Sequence, residues 1–306
     1  MPRLALLICL AAAAARAESN DLDLRFLGHP GPLACTLCDG SPGDVPEAGD
    51  PNAQARFHRL ASTLGLAFVP PFQEAAGTLG QSGFEVGLSS SQAVLRIAPD
   101  AWPTLGTQGK SAPPRMLILP ALTLRKGLGG SVELGAAVSW LTNSQMMALS
   151  AELRWAPLDG LASWPDLALR LWGSRVLGTG ELDLAMAGAD VQLSKSFALA
   201  GMIKLQPYLQ GGMVMINALS GVVDFKPAVE NAANPGGDDG AFRSVVLYKN
   251  RYLRGAVGVR MVAGVVVLGI EGSMAAGTNP IYDGPAGTPE NYVRLTGFSA
   301  RLGFGF

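Results

Sequence analysis

The chain ends in Phe298-Ser299-Ala300-Arg301-Leu302-Gly303-Phe304-Gly305-Phe306, and this stretch decides the fold. Apolar side chains recur at every second position, with serine, arginine and glycine between them. A period of two belongs to a β-strand, whose successive side chains point to opposite faces. Here one face is greasy and finishes on an aromatic, while the other carries small residues and a charge. A strand with lipid on one side and a polar lumen on the other has that division.

This ending resembles the C-terminal strand of small bacterial outer-membrane β-barrels, the class with 8 to 12 strands. The resemblance covers the two ends of the chain and the strand pattern, and it points to no particular subfamily. It implies that Phe298, Leu302, Phe304 and Phe306 form the assembly signal read by the barrel-assembly machinery. It also implies that the N- and C-termini are both periplasmic, in the envelope of a Gram-negative cell. Two features depart from the usual pattern: Gly297 lies further from the end than usual, and Arg301 holds a lumen position.

The N-terminus reads the same way. Met1-Pro2-Arg3 is a short basic start, Leu4 to Ala15 is apolar, and Ala15-Arg16-Ala17 offers a small-x-small cleavage site. Residues 1–17 are therefore expected to be a secretory signal peptide, since the apolar run is too short to span a bilayer. Ile8 is too bulky before Cys9 for lipoprotein processing. Without residues 1–17 the chain has 21 basic against 24 acidic residues, a net charge of −3. No nucleic-acid surface follows from that balance.

Apolar residues make up 48% of the chain and charged ones 15%. Soluble domains carry about 25% charged residues. Yet no stretch of eighteen residues is uninterruptedly apolar, the best, 255–270, being broken by Arg260. A greasy exported chain without a greasy helix spreads its apolar residues over alternating strands. Ten strands are expected, near 84–97, 115–126, 131–142, 145–157, 166–177, 181–195, 202–217, 250–262, 264–275 and 290–306; eight or twelve are the alternatives. The long connectors 98–114, 218–249 and 276–289 then share one side, as outer loops do.

Two hairpins can be registered. A turn at Asn143-Ser144 pairs Trp140 with Met147, Val138 with Leu149 and Val132 with Trp155, and it sets Glu133 opposite Arg154 on the inner face. A turn at Ala263-Gly264 pairs Met261 with Val266, Val259 with Leu268 and Val257 with Ile270, leaving Arg260 and Glu271 inside. In the 166–195 hairpin, one register sends Arg175 to the lipid side. The expected lumen lining is Glu133, Glu152, Arg154, Arg170, Asp183, Lys204, Gln206, Arg254, Arg260, Glu271 and Arg301.

The chain has only His29 and His58, both ahead of the barrel. Hydrolases of the outer membrane place a catalytic histidine on the barrel wall or rim, so a histidine-based site is not expected here. Inward carboxylates pair across a narrow lumen more readily than they catalyse, because a lone buried charge is costly. No enzyme activity, cofactor or metal is expected. Cys35-Thr36-Leu37-Cys38 is a disulfide candidate; a zinc site with His29 and Asp39, or free thiols, are the alternatives. Asp238 and Asp239 lie in a glycine-rich loop without calcium-loop spacing.

Residues 18–83 form an extension ahead of the 84–306 barrel. It holds one helix, 51–64, with Asp50 as N-cap, Pro51 in the first turn and Gly65 at its end. Phe57, Leu60, Ala61 and Leu64 make its apolar stripe. The helix packs at the periplasmic base, or plugs that mouth with Gln54, Arg59 and Ser62 toward the lumen charges. The first functional reading is a narrow pore for small solutes in contact with outer-membrane lipid and lipopolysaccharide. The second is a closed structural or adhesion barrel, and a third is a soluble secreted β-sandwich.

Overall fold

The computed structural model describes residues 18–28, 53–70, 73–160, 164–199, 203–225, 239–244, 251–278 and 292–306. Ten antiparallel strands form a closed barrel: β1 (Phe84–Val94), β2 (Met116–Gly127), β3 (Val132–Trp140), β4 (Met147–Leu158), β5 (Asp166–Leu177), β6 (Leu182–Ser194), β7 (Ile203–Ser220), β8 (Arg251–Ala263), β9 (Val266–Thr278) and β10 (Tyr292–Gly305). Each pairs with its sequence neighbour, and β10 returns to β1 with Val86 opposite Phe304. Closure leaves no open sheet edge. Short strands at Phe197–Leu199 and Arg243–Ser244 lean on β7 outside the ring.

The alternation read from the sequence sets the two faces. Leu122, Leu134, Leu149, Leu171, Ile270 and Phe304 stand on the exterior, while Glu133, Glu152, Arg154 and Arg301 are buried inside. The β3–β4 register is the expected one, from Trp140 with Met147 to Val132 with Trp155. The β8–β9 register is two residues away from expectation. Ala263 pairs with Val266 and Met261 with Leu268, because Gly264, at φ 59°, occupies the first central place of a Gly264-Val265 turn. A slip of two preserves the faces, so Arg260 and Glu271 stay inward.

The extension differs most from expectation. Helix α1 (Ala53–Ala67) runs past Gly65 and packs against the late part of β7 and the early part of β10. Those are the strand ends at the long-connector mouth, opposite Phe306. From α1 the chain passes down the lumen to Phe84, whose N–H donates to the Phe306 carbonyl at the other mouth. Glu18, the first described residue, and Phe306 lie at opposite ends of the barrel, because residues 73–79 are held inside it. A chain that begins at Glu18 therefore does not start on the Phe306 side, contrary to the expectation that both termini share one side.

Candidate functional site

The lumen has two tiers, and the inward positions of single strands show the change. Along β6 they read Leu182, Leu184, Met186, Gly188, Asp190, Gln192 and Ser194; along β10 they read Val293, Leu295, Gly297, Ser299, Arg301 and Gly303. Toward the long connectors the wall is apolar; toward Phe306 it is polar and charged.

The apolar tier is a socket for α1. Phe57 stacks on Phe242 with ring centroids 5.2 Å apart, and Phe242 meets Phe225 edge-on. Ser62 Oγ lies 2.5 Å from the Tyr252 hydroxyl. A Cβ on Gly65 would come within 2.7 Å of Ile216 Cδ1, so this position needs glycine to let the helix approach the wall. Above the socket, residues 18–28 strap the strand turns. Asn20 N–H donates to the Asn143 carbonyl, Asp21 accepts from Ser144 and Gln145, and Leu24 N–H donates to Glu181 at 2.7 Å. Burial pushes the Glu181 carboxyl up, opposed by that N–H. Arg56 joins helix to strap and connector through the Leu27 carbonyl and Asp100, both at 3.0 Å.

The charged tier closes around residues 73–79. Glu74, 2% exposed, reaches Arg125 at 2.5 Å and Arg260 at 3.6 Å, and it also bonds Arg301. Glu85 bridges Arg260 and Arg301, each at 2.6 Å. Glu133 joins Arg125 to Arg154, and its other oxygen accepts from Leu79 N–H. Arg154 also donates to the Ala75 and Gly77 carbonyls, so the wall holds the backbone of the inserted segment as well as its carboxylate. Ala76 N–H donates to Ser194 Oγ at 2.9 Å. Farther round the wall, Arg170 pairs with Asp190 at 2.5 Å, while Glu271 takes Arg254 and Tyr208, both at 2.9 Å.

Of the expected lumen residues, Glu133, Glu152, Arg154, Arg170, Gln206, Arg254, Arg260, Glu271 and Arg301 stand inside. Lys204 has the inward parity but is exposed at the Phe306 mouth. Asp183 is corrected. It faces outward on β6, and its side chain, 53% exposed, pairs at 2.9 Å with the outward Arg175 of β5. The β5–β6 register sets Asp190 opposite Arg170 and therefore puts Asp183 on the opposite parity. Phe298, Leu302, Phe304 and Phe306 all face out.

Sequence reading missed Glu74, Glu85, Arg125 and Asp190. The inward parity of β1, β2 and β6 signals the last three, once those hairpins are registered. Glu74 carries no signal, because it lies in no strand or helix. Helix residue His58 is buried, which pulls its imidazole down to about 4, and its Nε2 lies 3.0 Å from Gln54 Nε2. Among the described residues no group of three or more histidines, cysteines or carboxylates is placed to hold a metal ion. Cys35, Cys38, His29 and Asp39 lie outside the described residues, as do 1–17.

The fold is a closed β-barrel with a membrane-type exterior. No family model matches the chain, and neither does any curated relative. Among solved structures, the outer membrane protease OmpT from Escherichia coli aligns over 73% of this chain and 95% of its own, at 8% identity and TM-score 0.35. The N-terminal β-barrel domain of Pseudomonas aeruginosa OprF aligns over 74% and 99%, at 10% identity and TM-score 0.28. The attachment invasion locus protein Ail of Yersinia pestis aligns over 74% and 99%, at 8% identity and TM-score 0.26. Likeness at this level assigns no activity.

Proposed function

We propose that this chain is an outer-membrane barrel closed by its own N-terminal segment, working as a structural or surface-interaction body without open transport. The observation that carries the reading is the insertion of Glu74 between Arg125 and Arg301. Around it, residues 73–79 fill the charged tier and α1 fills the apolar tier. The apolar exterior around a charged interior supports a place in a bilayer, where a strand-built wall needs closure. With Phe306 toward the periplasm, the strap 18–28 and α1 form the outward-facing surface, in contact with lipopolysaccharide. The reading includes no catalytic role, since His58 is enclosed by its helix and the socket.

Planar-bilayer recording of the purified full chain tests this. The closed barrel gives no steady openings at moderate voltage; persistent conductance from the intact chain contradicts it. A second reading, a narrow charged pore, draws on the wall itself, which remains polar near Phe306 once residues 73–79 are removed. It requires a chain lacking residues 18–79 to conduct where the intact chain does not.

A further inference from the structure

Three wall arginines converge on one carboxylate of the inserted segment. Arg125, Arg260 and Arg301 share the wall carboxylates Glu85 and Glu133, and Glu152 lies 3.8 Å from Arg125, but Glu133 also serves Arg154 and Glu152 also faces Arg170. Glu74 completes the set, since all three guanidinium groups reach it. The side chain of Arg125 is 1% exposed, that of Arg301 1% and that of Arg260 11%, so solvent supplies little counter-charge. The wall also makes room for this arrangement: a Cβ on Gly87 would come within 2.5 Å of Arg301 Nε.

We propose that Arg125, Arg260 and Arg301 form a carboxylate-binding site on the lumen wall, with Glu74 as its tethered ligand. Guanidinium groups match the two oxygens of a carboxylate better than they match a spherical anion. The ligand class is a small monocarboxylate, or the carboxylate end of a larger solute, bound when Glu74 is absent. This goes beyond closure of the barrel, because the site belongs to the wall and not to the segment that fills it.

The test is chemical rescue of Glu74→Ala in the full-length chain refolded into detergent. Thermal unfolding is followed in sodium acetate, in sodium chloride and in chloride with acetamide, all at one ionic strength. Acetate is expected to raise the midpoint of the variant by about 3 °C or more over chloride, since a ligand bound to the folded state alone stabilises it. Acetamide, of similar shape but uncharged, gives no rise, and the wild-type protein responds to neither. Equal midpoints in acetate and chloride overturn the proposal. Should Glu74→Ala give no folded barrel in either salt, Glu74→Gln is compared with Glu74→Gln/Arg301→Gln. The site predicts that the double variant regains stability over the single one; a further loss overturns it. Either failure leaves the closed-barrel reading intact, because recording from the wild-type chain decides that separately.

Discussion

Glu74 Oε2 lies 2.5 Å from Arg125 Nη1, so a residue ahead of the first strand is paired, inside the barrel, with the wall of the second. The two charges neutralise each other where water has little access, and the pair fixes the inserted segment to the wall. Removing one partner strands the other. Arg125→Ala leaves Glu74 and Glu133 short of their nearest guanidinium and is expected to cost about 3–5 kcal/mol. Arg175→Ala breaks the exposed pair with Asp183 and is expected to cost less than about 1 kcal/mol. Urea unfolding in detergent, read by heat-modifiable migration, separates the two.

The approach of α1 to β7 depends on Gly65. Alanine at that position gains about 1 kcal/mol of helix propensity, but its Cβ would lie 2.7 Å from Ile216 Cδ1. Overpacking costs about 1–3 kcal/mol, so Gly65→Ala is expected to be destabilising on balance. In an Ile216→Ala background the clash is gone and only the propensity gain remains. A double-mutant cycle on unfolding free energies should show that change of sign.

His58 makes stability depend on pH. Burial holds its imidazole at about 4 in the folded chain, against about 6.5 when unfolded. Between these values the unfolded chain holds a proton that the folded chain does not. Stability from this residue is therefore complete above about pH 6.5 and lost as pH falls toward 4, by about 3 kcal/mol in all. His58→Gln should flatten the unfolding free energy between pH 4 and 7. An unchanged slope in the variant counts against a buried neutral histidine.

The outward face of β5 tests the membrane placement. Leu171 is 59% exposed near the middle of its strand. Arginine there should cost about 2–4 kcal/mol when the barrel is folded into lipid vesicles. At Leu177, the last residue of the strand, the same change should cost about 1 kcal/mol or less. Equal, small effects at both sites would indicate a water-exposed exterior.

Much of this was legible in the alternation. Phe298 to Phe306 gave the faces of the last strand, and the Glu133–Arg154 cross-strand pair follows from hairpin geometry alone. Asp183 was misplaced because the β5–β6 hairpin admits two parities, and an exposed Arg175–Asp183 pair resembles a lumen pair in sequence. The position of α1 was half visible. Its stripe of Phe57, Leu60, Ala61 and Leu64 demanded an apolar partner, and the inward positions of β6 and β10 turn apolar toward the long connectors. Matching the two requires the registers first. The path of residues 73–79 was not legible, since a segment without periodicity is positioned by what grips it, here Arg125, Arg154 and Arg301 from three different strands.

Residues 73–79 inside the lumen are the centre of this account, and a cross-link tests them most directly. Ala76 is buried in one apolar cluster with Ala156 and Ala168 of the wall. Ala76→Cys with Ala168→Cys, in a chain carrying Cys35→Ser and Cys38→Ser, is oxidised in intact outer membranes. The account predicts a disulfide in the folded barrel, with neither thiol open to a membrane-impermeant maleimide beforehand. Free, maleimide-reactive thiols at position 76 and no cross-link to position 168 would contradict it.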